Sequence, residues 1–273
     1  MSTATMAPQL RLRDAYKGPA WSAAGDGPPL LLIAGLGLDG NSWWRSIPGF
    51  AEQFRVITFD YRGVGRSGRA PMFCSTDDLA DDAVAVLDAA GVESSLVYGF
   101  SLGGMVAQRL ALRHPARVRA LVLGATQAGG PHTVPPPATT LAYLWRARFL
   151  SRAAAAEAAI PHVYGKRCRR ETPERIAADL EQRRQRRLDP DAYRGHVAAA
   201  MMHDAYRNLH AIDAPTLVVH GEDDRLIPKA NGKSIARTIP DARLHLIPHA
   251  GHYYATDEPS VDGLIARFFA ECQ

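Results

Sequence analysis

Long apolar runs are missing from this 273-residue chain: no stretch approaches the roughly 20 residues that a membrane-crossing helix needs. The N-terminus, Met1-Ser2-Thr3-Ala4-Thr5, lacks a charged start followed by a hydrophobic region, so the chain reads as cytoplasmic, with no leader and no membrane partner. Cysteine is scarce. Cys74, Cys168 and Cys272 are far apart and odd in number, which excludes a disulfide framework and a Cys-x-x-Cys clip. No His or Cys pair has ligand spacing and no acidic loop has a calcium pattern, so no metal is expected. Internal repeats and long low-complexity segments are also lacking, and nothing in the sequence specifies an oligomeric state.

Charge of one sign is nearly balanced over most of the chain. The net charge is +4, but residues 127–215 hold 14 Lys+Arg against 9 Asp+Glu, which leaves the remainder slightly acidic. Its densest part, Lys166–Arg170 and Arg183–Arg187, is interleaved with Glu171, Glu174, Asp179 and Glu181 in a helix-favouring stretch. This reads as a solvated helix face rather than a nucleic-acid footprint; an anionic substrate or partner is the alternative.

With 47% hydrophobic residues the chain can bury one large core. Short apolar runs without strict alternation at 30–34, 55–59, 95–98, 120–123, 216–220 and 243–247 suit strands buried on both faces of a parallel sheet. Helical segments lie between them, such as Thr76 to Ala90, with a Ser75/Thr76 cap and a stop at Gly91. The order implies an α/β fold with a mostly parallel, doubly wound sheet. From Gly129-Gly130-Pro131 and Pro135-Pro136-Pro137 the pattern changes to Ala/Arg/Leu-rich helices, and it returns at Asp213-Ala214-Pro215. The expected organisation is a core over 1–126, a helical cap over 127–212 and the rest of the core over 213–273.

Chemistry gathers at the strand ends. The strand at 95–98 runs into Gly99-Phe100-Ser101-Leu102-Gly103, a Gly-x-Ser-x-Gly turn that opens a helix and presents Ser101 as a nucleophile. The strand at 216–220 ends in Gly221-Glu222-Asp223-Asp224, and that at 243–247 in His249-Ala250-Gly251-His252. Open α/β sheets bind ligands at these carboxyl ends. A serine hydroxyl needs a neutral imidazole to take its proton and a carboxylate to orient that imidazole, and the chain order Ser, acid, His fits.

With these motifs the chain resembles the α/β-hydrolase superfamily along almost its whole length. Asp60-Tyr61-Arg62-Gly63-Val64-Gly65-Arg66-Ser67 is similar to the family's Asp-x-Arg-Gly-x-Gly-x-Ser loop, and His114-Pro115 opens a segment similar to the link after the nucleophile helix. The resemblance implies an α/β-hydrolase fold with the cap at the family's lid position. It selects Asp224, through Gly221 and Pro228, and His252, through Gly251, as partners of Ser101. It also implies an oxyanion hole from the backbone N–H groups of Leu36 and Leu102. Where relatives often carry a His-Gly loop this chain has Ala34-Gly35, which removes a side chain that braces the loop. No cofactor is needed. Gly35-Leu36-Gly37-Leu38-Asp39-Gly40, with Asp60 beyond, also matches the dinucleotide fingerprint, but Trp43, Trp44 and Pro48 oppose the helix it requires.

A serine nucleophile excludes the family's carboxylate-dependent dehalogenases and epoxide hydrolases. The resemblance implies a small-molecule ester, lactone or thioester substrate cleaved through an acyl-enzyme. A C–C bond hydrolase, a cofactor-free perhydrolase and a non-catalytic ligand receptor are the alternatives. Leu38, Trp43, Met72, Phe100, Tyr143, Trp145, Phe149, Met201 and Met202 are candidates to line an apolar acyl pocket, or to pack the core.

Overall fold

The computed structural model describes residues 11–12, 18–68, 73–184 and 186–272. The chain start and Met72 therefore lie outside the described residues. Eight strands are β1 (Arg11–Leu12), β2 (Trp21–Ala24), β3 (Pro29–Ile33), β4 (Arg55–Phe59), β5 (Ser95–Phe100), β6 (Val118–Gly124), β7 (Thr216–Gly221) and β8 (Arg243–Ile247). They form one sheet in the order β1-β2-β4-β3-β5-β6-β7-β8. β4 to β8 and β3 are parallel neighbours, while β1 and β2 form an antiparallel edge.

The non-alternating apolar runs of β3 to β7 have the expected cause, because both sheet faces are covered there, whereas β8, at the sheet edge, departs from the expectation with Arg243 and Leu244 exposed. Leu31, Ile33, Val97, Leu121 and Val218 point into a cluster with α2 (Thr76–Ala89) and α3 (Leu102–Arg113), helices that follow α1 (Ile47–Ala51). Leu30, Leu32, Tyr98, Val122 and Val219 point to the other face. α2 begins with a capping box in which Ser75 and Asp78 exchange side-chain and backbone bonds.

Between β6 and β7 lie α4 (Ala138–Ala147), α5 (Arg152–Val163), α6 (Lys166–Glu171), α7 (Pro173–Arg184) and α8 (Pro190–Met202). An isolated bridge between Gly129 and Asp204 closes the base of this insertion, and another between Val64 and Leu188 ties it to the Asp60–Ser67 loop. The chain finishes with α9 (Lys229–Thr238), α10 (Tyr254–Asp257) and α11 (Val261–Glu271). Among the described residues, no helix is long and apolar enough to cross a membrane.

Candidate active site

Ser101 sits between β5 and α3 with φ 56° and ψ −117°, a left-handed conformation that non-glycine residues seldom adopt. The turn is clamped from both sides. Ser101 N–H donates to Gly124 O at 2.8 Å, and Ser101 O accepts from Gly104 N–H at 2.9 Å and Thr126 Oγ1 at 2.7 Å. The flanking glycines are steric requirements: a Cβ on Gly99 would overlap the carbonyl of Gly103, and one on Gly103 would overlap the carbonyl of Ile33.

His252 and Asp224 arrive from the loops after β8 and β7. Ser101 Oγ lies 3.0 Å from His252 Nε2, and His252 Nδ1 lies 2.8 Å from Asp224 Oδ2. All three residues are buried. A carboxylate only accepts, so Nδ1 carries the proton and Nε2 is free to accept from the serine hydroxyl. The other carboxylate oxygen, Oδ1, accepts from Leu226 N–H at 2.9 Å and Ile227 N–H at 2.8 Å. Burial pushes the Asp224 carboxyl up, but electrostatic attraction to and hydrogen bonding with the neighbouring His252 and His220 outweigh it and hold the group at about 2. Asp223 and His249, the neighbouring candidates, are exposed.

Two supports have no signature in the sequence. His220 is fully buried; its Nε2 donates to Ile227 O at 2.7 Å and stands 3.3 Å from Asp224 Oδ2. Asp257 Oδ2 accepts from Gly251 N–H at 2.6 Å and Gly165 N–H at 2.8 Å, fixing the peptide before His252 and joining it to the insertion. The His220 contacts and the Asp257–Gly251 bond are local in sequence, whereas the Asp257–Gly165 bond joins segments 92 residues apart.

The loop after β3 lies against the serine. A Cβ on Gly35 would stand 3.3 Å from the Ser101 Cβ, and the turn is closed by Leu38 N–H donating to Gly35 O at 3.1 Å. Leu36 is in this turn, while the N–H of Leu102 belongs to the first turn of α3, where helix geometry leaves donors without intrahelical acceptors. The bracing lost at Ala34 comes from elsewhere: Tyr61 Oη donates to Ala34 O at 2.9 Å in the buried interior. Asp60 is occupied structurally. Its carboxylate accepts from Gly40 N–H at 2.8 Å and from Arg66 N–H and Nε at 2.8 and 3.0 Å. The segment after the glycines forms only a short 3-10 turn, Gly40–Trp43, instead of the long helix of a dinucleotide site.

Beside this centre lie a small cavity of about 70 Å³ and a larger cleft of about 660 Å³ between the β3 loop and the insertion. Leu38 lines both, Phe100 and Trp43 line the first, and Tyr143 lines the second. Trp145, Phe149, Met201 and Met202 line neither; they are 61%, 74%, 82% and 82% exposed. In α8 the buried positions are Ala192, Gly195, His196 and Ala199, and at its end the side chains of Met201 and Met202 are exposed.

A β-sheet of this order carrying a strained serine at the β5–α3 turn defines an α/β hydrolase, and comparison with known proteins agrees. The model of the alpha/beta hydrolase fold family matches residues 28–259, and the chain belongs to that family. RutD of Variovorax paradoxus (strain S110), a carbamate hydrolase by name, is 33% identical over 247 residues, covering 89% of this chain and 90% of the relative. The 2-hydroxymuconate semialdehyde hydrolase of Pseudomonas sp. (strain CF600) is 32% identical over 262 residues, covering 91% and 89%. Among solved structures, a thermophilic esterase from Thermogutta terrifontis superposes with a TM-score of 0.80 at 27% identity, covering 93% of each chain.

Proposed function

We propose that the protein is a serine hydrolase that cleaves a carboxylic ester or lactone through an acyl-enzyme, with Ser101 as nucleophile, His252 as general base and acid, and Asp224 as the orienting acid. The observation that carries this reading is the unbroken hydrogen-bonded line from Ser101 Oγ to His252 Nε2, at 3.0 Å, and from His252 Nδ1 to Asp224 Oδ2, at 2.8 Å. His252 takes the hydroxyl proton as Oγ attacks the acyl carbon, and Asp224 stabilises the imidazolium that forms. The oxyanion is held by the N–H groups of Leu36 and Leu102. Collapse of this intermediate expels the alcohol, which receives the proton from His252, and water repeats the sequence to release the acid. The protein's own groups suffice for every step, and residues 127–212 act as a cap over the cleft.

A second reading uses the same residues. Identity of 32% to the 2-hydroxymuconate semialdehyde hydrolase supports C–C bond hydrolysis, in which the leaving group is a carbanion equivalent instead of an alkoxide. A chromogenic short-chain ester tests the first reading: wild type is expected to turn it over and Ser101→Ala to lose at least about 10³-fold in kcat. Equal turnover by both proteins contradicts the mechanism. Analysis of the products from a vinylogous diketone separates the second reading from the first.

A further inference from the structure

The basic run spans the last residues of α7, which stops at Arg184, and continues into Arg186 and Arg187, which are not helical. Arg184 and Arg187 are exposed, whereas Arg183 and Arg186, three residues apart, face inward and line both the small cavity and the larger cleft. The Arg183 guanidinium lies 4.1 Å from the centroid of the Tyr253 ring. Tyr253 follows His252 and stands 5.6 Å, ring to ring, from Phe100, which precedes Ser101. The two arginines are thus placed beside the reacting line, not on a remote surface.

Arg186 is the unusual member. Its side chain is only 7% exposed, and Nε and Nη1 are buried with no hydrogen-bond acceptor among the described residues. Asp39 Oδ1 lies 3.3 Å from Nε, close enough for charge attraction, but no hydrogen bond forms. Burial lowers the affinity of this guanidinium for its proton, and the attraction of Asp39 only partly opposes that. The remaining charges around the small cavity are already engaged: Arg45 donates to Asp179 Oδ1 at 3.0 Å and to Arg175 O at 2.8 Å. Two inward guanidinium groups therefore face one carboxylate, Asp39, a surplus of about one positive charge. The larger cleft adds Arg148, Arg152 and Arg184 against Glu157. A buried, under-satisfied guanidinium carries a desolvation cost that a planar anion on its free N–H groups would offset.

We propose that Arg186, assisted by Arg183, binds a carboxylate carried by the substrate away from the scissile bond, so that the favoured substrates are monoanionic esters or lactones. This inference rests on the serine-hydrolase reading and narrows it. A carboxylate matches the surplus charge that Arg183 and Arg186 leave beside Asp39 and the forked geometry of a guanidinium.

A homologous series tests it: the monomethyl esters of succinate, glutarate and adipate, each against its own dimethyl ester. At least one monoanion is expected to exceed its neutral partner in kcat/KM by about 10- to 100-fold, the range for charge-assisted hydrogen bonds in a dry site. In Arg186→Gln that ratio should collapse towards one, while Arg186→Lys, which keeps charge but not the fork, retains part of it. Ratios near one for all three pairs in wild type overturn the inference, and so does an Arg186→Gln variant that keeps the wild-type ratio. If Arg186→Gln fails to fold, Arg183→Gln is expected to lower the same ratio, and an unchanged ratio there overturns the proposal. Calorimetric binding of monomethyl glutarate and dimethyl glutarate to Ser101→Ala gives a readout without turnover. Tighter binding of the monoanion supports the inference, and equal binding overturns it. Hydrolysis of the neutral esters without any preference for the monoanions leaves the serine mechanism standing and removes only this inference. Absence of hydrolysis for every ester removes the mechanism itself.

Discussion

The core and the insertion between β6 and β7 are held together by different physics. In the core, two large apolar clusters cover the sheet faces, and the turns bearing Ser101 and Asp224 are anchored on buried strands, while that bearing His252 follows the partly exposed edge strand β8. The insertion has a small apolar cluster of its own, Ala159, Val163, Tyr164, Cys168 and Ile176. It joins the core by polar bonds, with Asp179 accepting from Arg45 and Thr256 and Asp257 accepting from Gly165 N–H, and by packing of Leu226 and Tyr253 against its cluster. Packing thus positions Ser101, Asp224 and His252, whereas polar contacts help to hold the insertion residues that line the cleft. Changes in the core should therefore act on kcat, and changes in the insertion on stability and substrate preference.

The largest effect should come from breaking the core's polar line. Asp224→Asn keeps the shape but permits the wrong imidazole tautomer, and kcat is expected to fall by about 10³- to 10⁴-fold with the fold intact by circular dichroism. Acid should next loosen the junction of the two regions. His196 in α8 packs on Tyr61, and His203 at the end of the insertion bonds Thr76 Oγ1 at 3.1 Å. Burial holds both imidazoles near 4 instead of the ordinary 6.5. They are neutral in the folded protein and protonate more readily when unfolded, so stability should decline as pH falls from about 6.5 to about 4, by ~3 kcal/mol for each residue. Thermal unfolding at pH 7 and pH 4.5 measures this, and the double variant His196→Gln/His203→Gln should flatten the slope. An unchanged slope would mean that other groups govern it.

A smaller change probes the brace. Tyr61→Phe leaves the buried Ala34 carbonyl without its donor, which should cost about 1–3 kcal/mol in stability and lower kcat more than it raises KM. A change in KM alone would separate Tyr61 from the oxyanion loop. The least effect is expected from Met201→Gln and Met202→Gln, since both side chains are exposed and line neither the cavity nor the cleft; unfolding should shift by less than about 0.5 kcal/mol.

The same division governs what could be read from the sequence. Strands buried on both faces appear as short apolar runs, and the Ser101 turn appears through its glycines, because steric demands at adjacent residues leave a local pattern. β2, reading Trp21-Ser22-Ala23-Ala24, has no such pattern and is an edge-side strand set by its antiparallel pairing with β4. Tyr61 bonds backbone 27 residues away and Asp257 bonds Gly165 N–H 92 residues away, which no spacing rule reveals, whereas the bonds of His220 to Ile227 and of Asp257 to Gly251 are local. In the insertion the same basic run sends Arg184 outward and Arg186 inward, and aromatic content alone did not distinguish Tyr143, facing the cleft, from the exposed Trp145 and Phe149. Which side chains turn inward there is decided by docking onto the core rather than by composition.

Covalent capture of the nucleophile tests the central claim most directly. After brief incubation with a fluorophosphonate, intact-mass and peptide mass spectrometry should find one adduct per chain, on Ser101, absent in Ser101→Ala and strongly slowed in His252→Ala. An enzyme that hydrolyses esters while Ser101 remains unmodified, or an adduct confined to another residue, would contradict the mechanism.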